Sequence, residues 1–584
     1  MLALRTLTLL SVVVILVATA VGQETSPPQH MVQDWSTHHV VFTGVNRESA
    51  VVFAKSDPRA WVNWVAHAGR GVSPTAFPKQ LPLPLPAKPH RRPFKRLRAD
   101  WNVPLFGGTD PRFSPAKFGF DINATPDCTN DYVVFPTTNS AFPGQSGGGT
   151  PASLIAFNNL YTGPSPTGPG SSGICPTPFA PSTDPSVLFA YNTATNIQGS
   201  AHLSPVLSLD GKKIAFVESN DGFSDDYTAF HVLTWKAGEG TSVDSAAVPG
   251  DCSAGNSCMA TLVLSSTHGD HFSSPFIDYQ NDVAYVGDDG GILHKITPVF
   301  GGTPTEVVGN GWPLPITAFG ALFGVPVFDS VSGHIFMSDN SSGSLWIIDA
   351  AIPRTLIEVG GYISISDPIV DSTNQTVFVV GSRSPVLFSA DLIVDQFDTS
   401  GNRLQRVDAG PLGQIPDVYA GTFDNAYFVD PATGGFYFAG SLSAGAGLFR
   451  VGFTMTFNGI TLDPFSISGP LILSRGSGNS LPTSMAEVFN PNFLTAQDRL
   501  FIGIDANCTL GSFDGCVESV DITKGLPATL LDSYLVRGNS IFGIGGIIID
   551  NVSTSAQAAN IYFEAVPVTS GALSGIKLTQ SGLQ

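Results

Sequence analysis

Residues 204–219, SPVLSLDGKKIAFVES, form the unit that decides the fold of this chain. Residues 206–209 and 214–217 are short apolar runs, and Asp210 and Gly211 between them predict a hairpin turn, because glycine adopts positive φ without steric cost. The same order of apolar run, polar turn and β-branched or aromatic run recurs seven more times. The residues that close the first run of each copy are Asp121, Asp210, Asp278, Asp329, Asp371, Asp430, Asn490 and Asp550.

A hairpin unit repeated every few tens of residues is typical of solenoids, propellers and arrays. The closing residues are 42 to 89 positions apart, and the shortest spacing is close to one four-stranded propeller blade. A third apolar run follows most hairpins, as at 291–296, and then a fourth, as at 354–359. The pattern predicts an all-β fold, an eight-bladed propeller of four-stranded antiparallel blades, with seven blades as the alternative.

The last copy is one strand short, because only the apolar runs 547–550, 561–566 and 573–578 remain before the chain ends. Residues 101–106 precede the first copy and have no hairpin of their own. We expect this early strand to complete the last blade, which closes the ring and removes the exposed sheet edges.

Two stretches carry a resemblance to known families. Ser204 and Pro205 together with 210–216 resemble the repeat of TolB-type and WD40-like periplasmic propellers, and residues 285–293, YVGDDGGIL, resemble quinoprotein-like (PQQ-like) propellers. The whole chain is similar to secreted propeller proteins. These resemblances imply a fold and carry over no activity. The chain has neither repeated tryptophan docking motifs nor an adjacent cysteine pair, which argues against quinone chemistry.

Before the repeats the chain changes character. Residues 1–22 have Arg5, an apolar run and small residues, which predict a cleaved signal peptide and a secreted, periplasmic or extracellular protein. Residues 23–77 form a small N-terminal segment with a short strand and a helix, and residues 78–98 a Pro-rich basic linker. Whether 23–98 is removed as a pro-segment or stays attached is left open. The propeller is predicted to span 99–584.

Six cysteines in an exported chain favour disulfides over metal binding. Cys252 with Cys258 and Cys508 with Cys516 are close enough in sequence to close small loops, which leaves Cys128 with Cys175, although 15 pairings are possible.

Charge is distributed unevenly. Residues 1–98 hold 12 Lys and Arg against 4 Asp and Glu, whereas the remainder holds 16 against 43. An acidic surface disfavours nucleic acids and anionic lipids and favours cations or cationic partners. We expect no nucleic-acid partner and no stable membrane span after signal cleavage.

Propellers generally meet ligands at one mouth of the central channel, where the innermost strands begin and the second strands end. Two clusters are expected there. His268, Asp270 and His271, with His202 one blade earlier, could bind a ligand or a transition metal, or act as a base with an orienting carboxylate. The alternative is that these residues only stabilise loops.

The second cluster is acidic and could bind calcium, the one cofactor that the sequence suggests. The alternative is that Asp residues populate turns for conformational reasons. The residues of this cluster are Asp221, Asp225, Asp226, Asp288, Asp289 and Asp339.

The sequence therefore favours a secreted propeller that binds or scaffolds a protein, a peptide or a glycan. The second interpretation is a secreted hydrolase or lyase acting on an extracellular polymer, with residues 268–271 contributing to catalysis. Nothing in the sequence decides whether the chain is an enzyme.

Overall fold

The computed structural model describes most of the chain with gaps between the elements. The predicted signal peptide, the linker 78–98, Asp121, Asp221, Asp225, Asp226 and Cys252 lie outside the described residues. The described ranges are 31–67, 99–119, 126–163, 175, 184–220, 227–250, 255–317, 320–384, 390–413, 417–457, 459–475, 480–490, 496–509, 514–537, 543–550, 560–568 and 571–579.

The predicted eight-bladed β-propeller is confirmed, and each blade contains four antiparallel strands. The first strand of each blade lies innermost, and three short strands precede the first blade. These are β1 Val32–Gln33, β2 Val40–Val41 and β3 Ala99–Pro104. Blade 1 contains β4 Ala116–Phe118, β5 Tyr132–Pro136, β7 Leu154–Asn158 and β8 Ser186–Tyr191, and blade 2 contains β9 Val206–Leu207, β10 Lys213–Asn220, β11 Tyr227–Thr234 and β13 Cys258–Ser265. Blade 3 contains β14 Phe276–Asp278, β15 Val283–Gly287, β16 Ile292–Ile296 and β17 Leu314–Pro315, and blade 4 contains β18 Val327–Asp329, β19 His334–Asp339, β20 Ser344–Asp349 and β21 Arg354–Gly360.

Insertions decorate this plan in several blades. A small sheet joins β6 (Gly147–Gly148) in the loop of blade 1 to β12 (Ser245–Ala246) in the loop of blade 2. Blades 5 and 6 each carry one additional strand, β22 and β31. Blade 5 contains β22 Ser364–Ile365, β23 Ile369–Asp371, β24 Thr376–Arg383, β25 Asp391–Asp398 and β26 Arg403–Pro411, and blade 6 contains β27 Thr422–Phe423, β28 Gly435–Leu442, β29 Gly445–Thr456, β30 Gly459–Leu462 and β31 Ser468–Ile472. Blade 7 contains β32 Pro482–Asn490, β33 Gln497–Ile504, β34 Gly515–Asp521 and β35 Thr529–Val536, and blade 8 contains β36 Ile548–Asp550, β37 Asn560–Ala565 and β38 Ser574–Thr579.

The hairpin predicted around Gly211 is present. β9 and β10 pair antiparallel with Leu207 opposite Ile214, and Gly211 has φ +67°. The carbonyl of Gly211 accepts hydrogen bonds from the Tyr132 hydroxyl of blade 1 and from Trp235 Nε1 at 2.8 Å. One turn therefore shapes its own hairpin and binds the neighbouring blade.

The predicted ring closure is also confirmed. β3 pairs antiparallel with β38 and supplies the outermost strand of blade 8. Buried ion pairs reinforce the seam: Lys577 Nζ lies 3.1 Å from Asp100 Oδ2, and Lys117 Nζ of blade 1 lies 3.2 Å from Asp550 Oδ1 of blade 8. Removing one partner of such a pair is costly, because a buried charge is then left uncompensated.

Most closing aspartates are structural, as their recurrence suggests. Asp278 accepts hydrogen bonds from the backbone of the next turn, at 3.1 Å from Gln280 N, and Asp371 does the same with Thr373 N at 3.0 Å. Blade 6 differs from the prediction. A helix, α3 (Asn425–Val429), follows its innermost strand directly, and Asp424, the residue after that strand, caps the N-terminus of the helix. Asp430 instead caps the 3₁₀ helix Pro431–Thr433.

Residues 31–67, here named the plug, lie inside the ring. β1 pairs antiparallel with the innermost strand of blade 1, and β2 pairs in parallel with the innermost strand of blade 5. Between and after these strands lie the 3₁₀ helix Trp35–His38 and helices α1 (Arg47–Phe53) and α2 (Arg59–Ala66). The predicted strand and helix are therefore present, and what their sequence did not indicate is their position in the channel. Removal of 23–98 stays a prediction.

Two of the predicted disulfides are confirmed, Cys128–Cys175 and Cys508–Cys516. Cys258 is also disulfide-bonded, while Cys252 lies outside the described residues. Among the described residues, no helix has both the length and the apolar character needed to cross a bilayer.

Gly211→Ala should destabilise the protein by about 1–3 kcal/mol, because a Cβ there would lie 2.5 Å from the Phe118 ring in addition to the strain of positive φ. Gly144→Ala is the matched control, since Gly144 has φ +76° but open space around it. Urea denaturation of both variants measures the difference. Equal losses would show that the contact with Phe118 contributes nothing.

Glu518→Gln should stabilise the protein at alkaline pH and leave it unchanged at pH 4. Glu518 is fully buried, and burial raises its pKa to about 8, which the nearby Thr509 backbone only partly opposes. The folded state therefore holds a proton that the unfolded state releases, so stability falls as pH rises from about 4.5 to about 8. The expected gain is about 5 kcal/mol at pH 9, measured by denaturation against the exposed control Glu48→Gln. A gain that is the same at both pH values would contradict this assignment.

Candidate functional site

The channel mouth is the face of the ring on which the innermost strands begin. The loops that lead into these strands converge there and enclose a cavity of about 300 Å³. Arg112, Phe272, Asp367 and Tyr419 line it, and each precedes the innermost strand of its blade by two to four residues. A cavity of this size lies at the lower end of the range for small-ligand and peptide side-chain pockets.

The plug forms the floor of the mouth. A smaller cavity of about 50 Å³ lies beneath the first, shares Arg112, Asp367 and Tyr419 with it, and is lined below by Trp35, His38 and His39. His39 Nδ1 lies 2.8 Å from the carbonyl oxygen of Pro368, which fixes the turn of the plug against blade 5. Burial lowers the pKa of His38 to about 4, so this floor carries no positive charge from His38 near neutral pH.

Arg112 is held rigidly in the mouth. Its Nε lies 2.9 Å from Asp110 Oδ1, its Nη2 lies 3.3 Å from Asp110 Oδ2, and its guanidinium stacks 3.4 Å from the centre of the Phe272 ring. A bidentate carboxylate and an aromatic face are the contacts that planar arginine prefers. Its charge is therefore already paired within the protein.

The remaining charges at the mouth are negative. Asp367 and Asp417 line the cavity. Burial is the main cause that raises the pKa of Tyr419; Asp110, Asp417 and Asp505 raise it further, and Arg112 opposes them. Burial raises the pKa of Asp505 to about 6. The mouth thus gains negative charge as pH rises through 6, and it presents an aromatic and carboxylate surface suited to a cation.

Four of the predicted site residues come together at one corner of blade 3. His271 Nδ1 pairs with Asp289, and buried Asp270 lies near Asp289 and Asp288. Burial, and then these two carboxylates, raise the pKa of Asp270 well above its usual range. The sequence did not single out His294, which joins this cluster at 3.3 Å from Asp288 Oδ2.

Asp270 has a structural role in this loop. Its Oδ1 accepts hydrogen bonds from the backbone of Phe272 at 3.1 Å and of Ser273 at 2.8 Å, which shape the turn that presents Phe272 to Arg112. The carbonyl of His268 accepts from Thr228 Oγ1 of blade 2. His202 lies 2.9 Å from Ser200 Oγ, and its ring packs 5.1 Å from that of Phe113. The use of these residues as ligands stays a prediction.

Of the residues predicted to bind calcium, Asp288 and Asp289 lie in the cluster of blade 3, whereas Asp339 is the last residue of β19 in blade 4. Asp339 accepts hydrogen bonds from Ser341 N at 2.9 Å and from Ser342 Oγ at 2.6 Å, as a turn-capping residue does. Within the described ranges, the metal-binding side chains that cluster most tightly are Cys508, Cys516 and Glu518, and both sulfurs are in the disulfide. Calcium binding by the acidic cluster therefore stays a prediction.

The mouth residues Arg112, Asp367, Asp417 and Tyr419 were not predicted from the sequence. Their position in the sequence could have indicated them, because each lies just before an innermost strand, as Phe272 does. Their chemistry differs from blade to blade, however, so no motif repeats at this position.

The strand pairing and the filled channel define this chain as an eight-bladed β-propeller with an internal plug. No family model matches the chain, and no curated protein matches it.

Several solved structures are similar in fold. The crystal structure of Saccharomyces cerevisiae Sqt1 has 8% identity and a TM-score of 0.43 and covers 83% of this chain and 99% of its own. Kuenenia stuttgartiensis hydrazine synthase has 10% identity and a TM-score of 0.34, with 64% and 94% covered. A chain of the mitotic checkpoint complex has 12% identity and a TM-score of 0.33, with 70% and 94% covered. Such low values carry no argument about function.

Asp270→Ala should destabilise the protein by about 1–3 kcal/mol, because two backbone N–H groups lose their acceptor in a buried turn. Asp270→Asn keeps the accepting oxygen and should restore most of that stability at pH 7. Thermal unfolding of the two variants distinguishes them. Equal destabilisation by both would show that the negative charge, rather than the turn, is what the fold needs.

Proposed function

We propose that this propeller is a binding module that holds a cationic segment of a protein or peptide at its channel mouth. The observation that carries the proposal is the cavity of about 300 Å³, in which the single described cation, Arg112, is paired with Asp110 while Asp367 and Asp417 face the space. A lysine or arginine side chain of a ligand would complete this arrangement. Its aliphatic stem would pack on the aromatic and apolar lining.

Rigidity supports a binding role. The lining comes from loops anchored on five blades, and the plug seals the channel below, so the ligand would meet a preformed surface. Preformed sites lose less conformational entropy when they bind. The acidic balance of the propeller favours the approach of cationic partners over longer distances.

The predicted signal peptide and the disulfides support action outside the cytoplasm, in an extracellular or periplasmic setting. We therefore propose that the binding module is secreted. A hydrolase or lyase would use the loop around His271. In that loop His271 pairs with Asp289, and Asp270 accepts hydrogen bonds from the backbone, so these contacts favour a binding module over an enzyme.

The double variant Asp367→Asn with Asp417→Asn should weaken the binding of a fluorescein-labelled four-lysine peptide at least tenfold. Asn keeps the acceptor oxygen through which Asp367 binds Val325 N and Ser338 Oγ, so the fold should survive. Fluorescence anisotropy at 50 mM and 500 mM salt measures the affinity, which should fall with salt. Binding should also weaken below pH 6 as Asp505 gains its proton.

Asp408→Asn, at an exposed carboxylate on the outer strand of blade 5, is the matched control and should bind like the wild type. A four-glutamate peptide and a neutral chitohexaose serve as alternative probes. Equal binding of the lysine and glutamate peptides, or binding of chitohexaose that survives the double substitution, would overturn the cationic-ligand proposal.

A further inference from the structure

The plug is held in the ring by non-covalent contacts. Residues 31–67 contain no cysteine, so no disulfide ties them to the blades. Their backbone joins the ring through two strand pairs, β1 with blade 1 and β2 with blade 5. This is the way in which extended peptides bind to sheets in trans, by adding main-chain hydrogen bonds along a strand.

A buried arginine fixes the plug to blade 3. Arg59 is 2% exposed, its Nη1 lies 3.0 Å from Asp57 Oδ1, and its Nη2 donates to the carbonyl of Ile277 at 3.0 Å. The guanidinium also lies 4.4 Å from the centre of the Phe276 ring. Within the plug, Arg59 Nε donates to Ser36 Oγ at 2.8 Å, so the same side chain also joins helix α2 to the 3₁₀ helix Trp35–His38.

Further contacts reach blades 5, 6 and 7. Thr43 Oγ1 donates to Asp371 Oδ2 at 2.9 Å, and the His67 ring stacks on Phe428 with centroids 3.6 Å apart. His67 Nδ1 lies 3.3 Å from Glu487 Oε2. The apolar side chains that fill the rest of the channel are all at most 4% exposed, and they are Met31, Trp35, Val40, Phe42 and Trp61.

The two ends of the plug emerge on the side opposite the mouth. β1 runs against the direction of β4, and Met31 accepts a hydrogen bond from Gly119 N just beyond the end of that innermost strand. The plug rises to Trp35–His38, descends along β2, and reaches Thr43 beside Asp371 at the other end of β23. After α1 and α2 it ends at His67, which stacks on Phe428 in the helix that follows the far end of β27. The mouth therefore meets only the turn of the plug and none of its ends.

We propose that residues 31–67 act as a built-in peptide ligand of the ring, which stays in place when the chain between His67 and Ala99 is cut. Cleavage at the predicted basic boundary would then yield a two-chain protein with its channel still filled, instead of an open ring. The floor of the mouth would be unchanged by processing. This inference concerns the channel and stands apart from the cationic-ligand proposal.

The test uses the full chain with a sequence-specific protease site inserted between residues 78 and 88. After complete cleavage, size-exclusion chromatography at 1 µM protein should show the N-terminal fragment eluting with the propeller, and the fragments should separate in 6 M guanidinium chloride. Cutting removes the effective concentration that a tether supplies, so co-elution requires an intrinsic affinity in the submicromolar range. A fragment that elutes separately while the remainder stays folded by circular dichroism would overturn the proposal.

Arg59→Ala in the same background tests the buried arginine that joins the plug to blade 3. The uncut variant should elute like the parent, and after cleavage its fragment should leave at least tenfold faster, as measured by exchange with a labelled 31–67 peptide. If Arg59→Ala does not fold, Thr43→Val removes the two hydrogen bonds of the Thr43 hydroxyl, to Asp371 and from Asn374 of blade 5, and should give a smaller acceleration. Glu48→Gln, on the exposed face of α1, should release its fragment at the parental rate. Equal release rates for all variants would overturn the role assigned to these contacts.

Discussion

The structure depends on the pairing of β3 with β38, because this pairing completes blade 8 and covers the sheet edge that β38 would otherwise expose. Two buried ion pairs support this closure: Lys577 with Asp100 links β38 to β3 within blade 8, and Lys117 with Asp550 links blade 1 to blade 8. In each pair the lysine and the aspartate are more than 400 residues apart in sequence, so the pairs form only when the ring is closed.

Ring closure creates the channel, and the plug makes that channel part of the core. A ring of eight blades leaves a space lined by its innermost strands, and here Trp35, Phe42 and Trp61 fill it. The plug therefore occupies most of the space that the innermost strands enclose. The surface that remains is the mouth, whose walls come from the blades and whose floor comes from the plug.

The mouth illustrates how a repeated scaffold obtains a unique site. The loop before the innermost strand contributes Arg112 in blade 1, Phe272 in blade 3 and Asp367 in blade 5. The fold brings these positions together because the strands are arranged around one axis, while the sequence at each position is free to differ. At Asp270 the sequence suggested a ligand-binding or catalytic carboxylate. In the structure this carboxylate accepts a hydrogen bond from the Phe272 backbone and supports the turn that presents Phe272.

The sequence by itself determined the blades, because each hairpin depends on neighbours a few residues away, such as Gly211 between β9 and β10. It also indicated the closing strand, since the last copy lacked one. Only the tertiary structure decided where the plug lies and which side chains meet at the mouth. Arg59 contacts Ile277, and Arg112 stacks on Phe272, across more than 150 residues of chain. Such contacts leave no local pattern, because they depend on the angle at which each blade is set around the ring.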